Sequence, residues 1–307
     1  MKSVCLGILN YNGRKHLEHL LPAACAAAKN FPETCAVVVL DNQSTGNDVA
    51  WIEREFPSVQ VSVAPKNDFL FSYNWLAQKR TEEILVLLNN DLRVEHNFLA
   101  PLVRHFESVD VFSVSARSYD WSGMQVTSGP ARLEFKNGFY NWTFDTQHQQ
   151  TCHTLFTSGG FMAVDRDKFV EVGGFNRLFA PAYCEDVDLC FRAWRRGWRC
   201  IYEPDSVVWH RHQGTWADHS NGNLSSLELR NLLLMQWSTF PMRRGRGARL
   251  RSLIKLLVGS LLSGDRVWIK TYPVTLLYWL AVRRHFLWMK VHDRELSRIL
   301  SRIQEEC

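Results

Sequence analysis

The 307-residue chain lacks several motifs that would place it in a familiar class of protein. Its eight cysteines form no CxxC pair, which argues against a zinc ribbon or a thioredoxin-type redox site. No GxGxxG follows an apolar run, which argues against a dehydrogenase that binds NAD. The chain has no internal repeat or low-complexity tract, and its 46% hydrophobic and 22% charged residues are ordinary for a globular protein. We therefore expect one large folded domain or two modest ones.

Long apolar runs are also missing. The longest candidate, residues 274–282, is much shorter than the ~18 residues that span a bilayer, and residues 4–9 are too few for the apolar part of a secretory signal. A chain of this length does not need disulfides to support a core, so we expect reduced thiols. Together these absences predict a cytoplasmic protein without a transmembrane helix.

Positive charge is concentrated at one end of the chain. Residues 241–307 carry 14 Lys and Arg against 5 Asp and Glu, and aromatic side chains alternate with the basic ones. Such a pattern is typical of helices that lie on an anionic lipid surface, at the inner face of the cell membrane. It also fits a helical cap that packs on the body of the protein. We therefore divide the chain into a body, residues 1–240, and a basic, aromatic-rich helical extension, residues 241–307.

Strand and helix patterns alternate through the first 120 residues. Apolar runs typical of strands fall at residues 4–9, 36–40, 59–63 and 84–88, with helical patterns at 16–29, 49–56 and 72–80. This alternation predicts an α/β fold with a mainly parallel sheet flanked by helices. Ligands of such sheets bind outside the carboxyl ends of the strands, so the polar residues that follow each strand are the candidates for a site.

Two carboxylates follow apolar strands. Asp91, in Asn89-Asn90-Asp91, could hold Mg²⁺ or Mn²⁺ on a diphosphate, since such sites need only one or two protein carboxylates; a simple turn is the alternative. Asp41 could accept hydrogen bonds from a base or ribose, or could form a cap or an Asx turn.

Glu185 and Asp186 open a helix predicted over residues 186–196. The positive end of a helix dipole keeps a carboxylate ionised, which suits a general base, although plain helix capping explains the same residues. Further on, His210 and His212 end a strand and share one of its faces. One of them could bind a metal or a phosphate, or both could be hydrogen-bonded surface residues.

The order of these segments carries a family resemblance. The segments are "ILNYNG", "VVVLDNQST", "LVLLNND", "SGGFMAV", "VGGFN", "EDVDLCFRAWRRGWR" and "SVVWHRHQG". In this order they resemble the family 2 glycosyltransferases, especially the bacterial rhamnosyltransferase-like branch, from residue 3 to about residue 240. The resemblance implies a GT-A fold, in which a Rossmann-like nucleotide-binding half adjoins an acceptor-binding half.

The resemblance also implies roles for individual residues. Asp186 corresponds to the catalytic base, with Glu185 beside it, and Asp91 to the last aspartate of a DXD metal motif. His210, or alternatively His212, would complete the metal and diphosphate site. The donor-binding residues would be Asn10, Tyr11, Asp41, Asn67, Asn90, Gly159 and Gly160.

Two departures from the family pattern stand out. The metal motif has a single carboxylate, Asp91, and bulky Phe69 and Phe71 occupy a segment where small residues are usual. The second departure predicts a narrower donor pocket.

The expected function is metal-assisted, inverting transfer of a sugar from a nucleotide-sugar, UDP- or dTDP-linked, to a hydroxyl of a glycan or lipid-linked acceptor, with Mn²⁺ or Mg²⁺ as cofactor. One alternative is a nucleotidyltransferase, but its Gly-rich triphosphate loop is poorly matched by "LGILNYNGRK". The other is a non-enzymatic protein that binds polyanions or membranes, for which the spacing of Asp41, Asp91, Asp186 and His210 would be coincidental. Nucleic acid is not an expected partner.

Overall fold

The computed structural model describes residues 2–211, 224–241, 245–263 and 267–304. Its main sheet has the strand order β10-β12-β6-β11-β4-β1-β2-β3, with β5 paired to β12 and β7 to β6. The strands are β1 Val4–Asn10, β2 Cys35–Asp41, β3 Gln60–Val63, β4 Ile84–Asn89, β5 Leu92–Val94, β6 Val111–Asp120, β7 Val126–Ser128, β10 Cys152–His153, β11 Phe161–Asp165 and β12 Arg199–His210. A separate hairpin pairs β8 Ala131–Lys136 with β9 Phe139–Phe144.

Ten α-helices are described. They are α1 Arg14–Asn30, α2 Asp48–Glu55, α3 Ser72–Lys79, α4 Leu99–Val103, α5 Arg166–Glu171, α6 Glu185–Arg195, α7 Leu224–Ser238, α8 Arg246–Ser263, α9 Val267–Val282 and α10 Asp293–Gln304. The helix expected at residues 186–196 is α6, which begins one residue earlier, so both candidate carboxylates lie in its first turn.

The sheet has two parallel parts, one on each side of β11. Strands β3, β2, β1 and β4 run parallel, as the βαβ pattern predicts. Strand β11 lies antiparallel to both of its neighbours, β4 and β6, and beyond it β6 and β12 again run parallel to each other. Because β1, β2 and β4 are parallel, their carboxyl ends meet at one edge, where the polar residues that follow them lie close together.

Helices cover both faces of the sheet. Alternate residues of β1 point to opposite faces: Leu6 and Ile8 pack with Leu17 and Leu21 of α1, whereas Cys5 belongs to the cluster on the other face. That second cluster includes the buried side of α6, whose apolar residues recur with helical spacing. The cores therefore hold the ends of β4 and α6 in fixed positions.

The C-terminal extension is helical, and its parts differ in burial. Leu296, Ile299 and Ile303 of α10 are buried in the same cluster as α6. Arg195 of α6 donates a hydrogen bond to Glu295 at 2.8 Å, which ties α10 to the body. Within the described residues, none of the helices is both long and apolar enough to cross a membrane.

Candidate active site

The carboxyl ends of β1, β2 and β4 are joined by one buried network of polar side chains. Asn10 Nδ2 donates to Asp41 Oδ1 at 3.2 Å and to Asp48 Oδ2 at 2.9 Å, and Asn90 Nδ2 donates to Asn10 Oδ1 at 2.9 Å. Asn10 is fully buried, and Asp41 and Asn90 are nearly so. Asn10 thus links the side chains of Asp41 and Asn90, so the polar residues at the ends of three separate strands form one network.

Asp41 is fully engaged within this network. Its Oδ1 also accepts from Ser44 Oγ at 2.5 Å, and its Oδ2 accepts from the Ser44 backbone N–H at 2.9 Å. This second bond closes the turn that the sequence left open as an alternative to nucleotide binding. Asp41 therefore stabilises the loop between β2 and α2 by two hydrogen bonds to Ser44.

Asp91 and His210 meet at the edge of the site. Strand β5, which follows Asp91, pairs with the end of β12, so that Nε2 of His210 lies 3.4 Å from Oδ1 of Asp91. Oδ1 of Asp91 is buried and accepts no hydrogen bond from any residue that the structure describes. Buried carboxylate oxygens normally have partners, so this atom fits a cation ligand.

The protein alone offers few ligands at this point. Within the described ranges, His, Cys, Asp and Glu form no group of three or more that could hold a metal ion. Asp91 and His210 therefore fit a site that a diphosphate would complete, as is common for Mg²⁺ and Mn²⁺. His212, the alternative ligand, lies outside the described residues.

Glu185 and Asp186 occupy the first turn of α6 in different environments. Asp186 is half-buried, and its carboxylate accepts from the backbone N–H groups of Val187 at 2.8 Å and Gly159 at 3.3 Å. Oε2 of Glu185 is buried and, among the described residues, meets no hydrogen-bond donor. The two neighbouring carboxylates thus differ in how well their negative charge is stabilised.

This difference appears in their acidities. Burial, and then the negative charge of Asp186, raise the pKa of Glu185 well above its usual range. Burial also raises the pKa of Asp186, but the N–H groups of Gly159 and Val187 oppose that shift. Of the pair, Asp186 therefore ionises more readily, which suits a proton acceptor.

Two glycines allow the parts of the site to approach one another. A Cβ on Gly159 would lie 2.8 Å from Cδ2 of Leu70 and 3.6 Å from Cβ of Asp186. A Cβ on Gly160 would lie 2.7 Å from Nδ2 of Asn89, whose backbone N–H donates to the Gly160 carbonyl at 2.8 Å. The Gly159-Gly160 turn therefore lies between the end of β4 and the start of α6 and contacts both.

Sequence reasoning missed a residue that braces the loop before α6. Tyr183 and Cys184, immediately before the two carboxylates, have φ values of 74° and 68°, a left-handed conformation that is strained for residues other than glycine. Nδ2 of fully buried Asn231, in α7, lies within hydrogen-bond distance of the carbonyls of Phe179 (2.6 Å), Ala182 (2.6 Å) and Tyr183 (3.0 Å). No local pattern around Asn231 signals this contact.

Arg192 was also missed, although its spacing from Asp188 in the sequence indicates an ion pair. Arg192 lies four residues after Asp188 on the buried side of α6, a spacing at which an ion pair forms, and the two side chains approach to 2.9 Å. Its guanidinium also donates to the carbonyls of Val172 and Gly174. Arg192 therefore fixes α6 against the "VGGFN" segment.

The remaining predicted residues lie at the rim. Tyr11 is half-buried after β1, and Oδ1 of Asn67 accepts from the Phe69 N–H at 3.2 Å. Phe69 is 40% exposed, whereas Phe71 is 2% exposed and belongs to the core. Of the two, only Phe69 has a side chain exposed enough to narrow a donor pocket. The expectation that Phe71 also narrows the pocket was wrong, because its side chain is buried in the core cluster that contains the buried side of α6.

Several known proteins that this chain resembles are glycosyltransferases. The model of "Glycosyltransferase like family 2" matches residues 3–224. Rhamnosyltransferase WbbL of Escherichia coli (strain K12) is 28% identical over 162 residues, which are 48% of this chain and 58% of that protein. The probable N-acetylgalactosaminyltransferase 9 of Caenorhabditis elegans is 25% identical over 150 residues, or 44% of this chain and 25% of that protein. The chain thus matches from a quarter to somewhat more than half of these relatives' lengths.

Solved structures share the fold. Mannosyltransferase PcManGT from Pyrobaculum calidifontis, in complex with GDP-Man and Mn²⁺, aligns over 94% of this chain and 87% of its own, with a TM-score of 0.56 and 16% identity. GalNAc-T7, with UDP, GalNAc and Mn²⁺, aligns over 76% of this chain and 48% of its own, with a TM-score of 0.57 and 16% identity. The chain has the GT-A fold, and it belongs to glycosyltransferase family 2.

Proposed function

We propose that the protein is an inverting, metal-assisted glycosyltransferase with Asp186 as its general base. The observation that carries this proposal is the short connection between the two ends of the site. Asn89, two residues before Asp91, bonds to Gly160, and Gly159 bonds to Asp186. A sugar held over these glycines would have a cation ligand on one side and a proton acceptor on the other, as displacement at the anomeric carbon requires.

The donor occupies the edge formed by β1, β2 and β4. Tyr11 and Asn67 line its nucleoside end, and the buried side chains of Asn10, Asp41 and Asn90 hold the surrounding loops in shape. A UDP- or dTDP-sugar is the proposed donor. The ligands bound in two structural neighbours, UDP with GalNAc in one and GDP-Man in the other, support a nucleotide-sugar in general.

The reaction is a single displacement. Asp186 takes the proton of the acceptor hydroxyl, and the oxygen forms a bond to the anomeric carbon as the bond to the diphosphate breaks on the opposite face. Glu185 beside it gives up its proton less readily, because burial raises the pKa of its carboxyl. Bound at Asp91 and His210, Mn²⁺ or Mg²⁺ would stabilise the negative charge of the nucleoside diphosphate that leaves.

The acceptor is a hydroxyl of a glycan or of a lipid-linked sugar. We place this reaction in polysaccharide biosynthesis for the cell envelope, on the cytoplasmic side of the membrane. Residues 1–240 form the catalytic body in this proposal, and the helices that follow bring it to an anionic membrane surface.

A panel of nucleotide-sugars tests the proposal. Thermal unfolding with UDP-, dTDP- and GDP-sugars, each with and without Mn²⁺, should show one donor whose stabilisation depends on the cation. Release of nucleoside diphosphate should then require that donor and an acceptor. If no nucleotide-sugar stabilises the chain, the proposal fails; pyrophosphate release from a nucleoside triphosphate and a sugar phosphate would instead show a nucleotidyltransferase.

A further inference from the structure

Exposed apolar side chains are concentrated in one part of the molecule. Among the described residues, 12 of the 18 exposed large hydrophobic side chains lie between residues 250 and 288. This stretch comprises α8, α9 and the 3₁₀ segment Arg283–Met289. Single exposed apolar residues are normal on a protein surface, but a contiguous group marks a surface that meets another apolar phase.

On α8 these side chains form a stripe that points away from the body. Leu250, Ile254, Leu257, Val258 and Leu261 recur at i, i+4, i+7, i+8 and i+11, and are 48–65% exposed. The helix contacts the body through a different side, roughly 110° around its axis, that holds the buried Arg249 and Ser260. The stripe is therefore left over after α8 has packed.

The body holds α8 at the turn between β8 and β9. Arg249 Nε donates to the Gly138 carbonyl at 2.8 Å, and Ser252 Oγ donates to the Asn137 carbonyl at 2.8 Å. Gly138 has a φ of +87°, and a Cβ there would lie 2.4 Å from the Arg249 backbone nitrogen. Close backbone contact thus fixes which side of α8 faces outward.

Helix α9 repeats the arrangement. Val274, Leu277 and Tyr278 are exposed at i, i+3 and i+4, while Thr275 is buried. Tyr272 packs edge-on against Trp237 of α7, with ring centroids 5.6 Å apart, so α9 also has one side on the body. Leu287 (65% exposed) and Trp288 (52%) follow in the 3₁₀ segment.

The charged residues of α8, α9 and the 3₁₀ segment are all basic. Arg251 and Lys255 lie at the edge of the α8 stripe, and Arg283 and Arg284 follow α9; all four are exposed. Neither residues 245–263 nor residues 267–290 contain an Asp or a Glu. A second protein surface would usually offer both signs of charge, whereas a uniformly basic border complements an anionic lipid headgroup layer.

We propose that α8, α9 and the 3₁₀ segment form a lipid-binding face, defined by the 12 exposed side chains, that inserts shallowly into an anionic membrane. The apolar side chains enter the boundary between headgroups and acyl chains, and the arginines and lysines bind headgroup phosphates. Neither helix spans the bilayer. Because the face lies outside the catalytic edge, its lipid binding is separable from sugar transfer.

Vesicle co-sedimentation of the full chain tests this face. The wild type should bind vesicles of phosphatidylcholine mixed with phosphatidylglycerol much more strongly than vesicles of phosphatidylcholine alone, and added salt should weaken binding. Leu261→Glu/Leu262→Glu should lower the partition coefficient at least about ten-fold, because each loses the burial of a leucine. Arg251→Gln/Lys255→Gln should lower it by about ten-fold or more on anionic vesicles only.

Met124→Glu is a matched control, since Met124 and Leu262 are both 84% exposed. It should bind vesicles as the wild type does. Equal binding by the Leu261→Glu/Leu262→Glu variant and the wild type would overturn the proposal. So would a wild type that binds no vesicles but dimerises through this face, with the double variant monomeric by light scattering. If the protein binds vesicles as expected but binds no nucleotide-sugar, the proposed function is refuted and the lipid-binding face is not.

Discussion

In the proposed mechanism, the substitution Asp186→Asn should separate catalysis from folding. An asparagine has nearly the same shape, and its Oδ1 can still accept from the Val187 N–H, as Asp186 does at 2.8 Å. Its Nδ2 would face the Gly159 N–H, which now donates to the carboxylate at 3.3 Å, so one hydrogen bond is lost. A lost bond of this kind costs about 0.5–1.5 kcal/mol of folding stability, so the variant should remain folded.

The catalytic loss should be much larger. An amide cannot take the proton of the acceptor hydroxyl, and removal of a general base typically lowers the rate by ~10²–10⁴-fold. This range corresponds to about 3–5 kcal/mol of activation free energy. The assay is the transfer rate at saturating donor and acceptor, together with the donor dissociation constant from titration calorimetry. The rate should fall while the dissociation constant stays within about two-fold.

Glu185→Gln is the matched variant, because Glu185 is the neighbouring carboxyl. Its transfer rate should stay within about ten-fold of the wild type, since the raised pKa of Glu185 makes it the poorer proton acceptor of the two carboxyls. If Asp186→Asn transfers sugar at nearly the wild-type rate and Glu185→Gln is inactive, Glu185 is the base instead of Asp186. If both variants transfer sugar normally with unchanged donor affinity, the base lies elsewhere and the reasoning is refuted.

Three further outcomes are expected. Asp91→Ala should abolish the effect of Mn²⁺ on nucleoside diphosphate binding in a calorimetric titration; an unchanged effect would show that Asp91 is not a ligand. Asn231→Ala should lower Tm by about 4–8 °C, at ~1 kcal/mol for each of the two hydrogen bonds that its NH₂ group can donate, and should also lower kcat. Gln236→Ala breaks two comparable bonds from the same helix to Tyr140, so it should lower Tm but spare kcat; equal kcat losses would contradict a positioning role for Asn231. Because burial raises the pKa of both site carboxyls, activity should fall with decreasing pH at values above the ordinary carboxyl range of ~4, and a pH–rate profile with its acid limb near 4 would contradict this.

The first half of the fold follows from local patterns. Strands β1, β2 and β4 are short, continuous apolar runs, and the helices between them are amphipathic, so their type and order are readable without a structure. That reading also predicts the edge at which Asn10, Asp41 and Asn90 lie. Parallel strands with helical crossovers leave few other arrangements, because the connections are right-handed.

Long-range pairing was not readable in the same way. Strand β11 is an apolar run like the others, and nothing in its residues states that it inserts antiparallel between β4 and β6. The direction of such a strand is set by the segments that lead into it and by the neighbours that need a partner. The same applies to Asn231, which lies 48 residues from Tyr183 in the chain and braces it only through tertiary packing.

The sequence by itself determined which residue types stand at the ends of the strands and at the start of α6, since these depend on periodicity and on local turn and cap chemistry. Only the tertiary structure decided what each of them contacts. It joined Asp41 to Asn10 and Ser44, set Asp91 against His210, and left Glu185 buried with a raised pKa beside an Asp186 supplied with two N–H donors. It also decided which side of α8 faces outward. The contacts of Asp41 with Asn10 and of Asp91 with His210 join residues far apart in the chain, and the pattern of neighbouring residues does not specify such pairs.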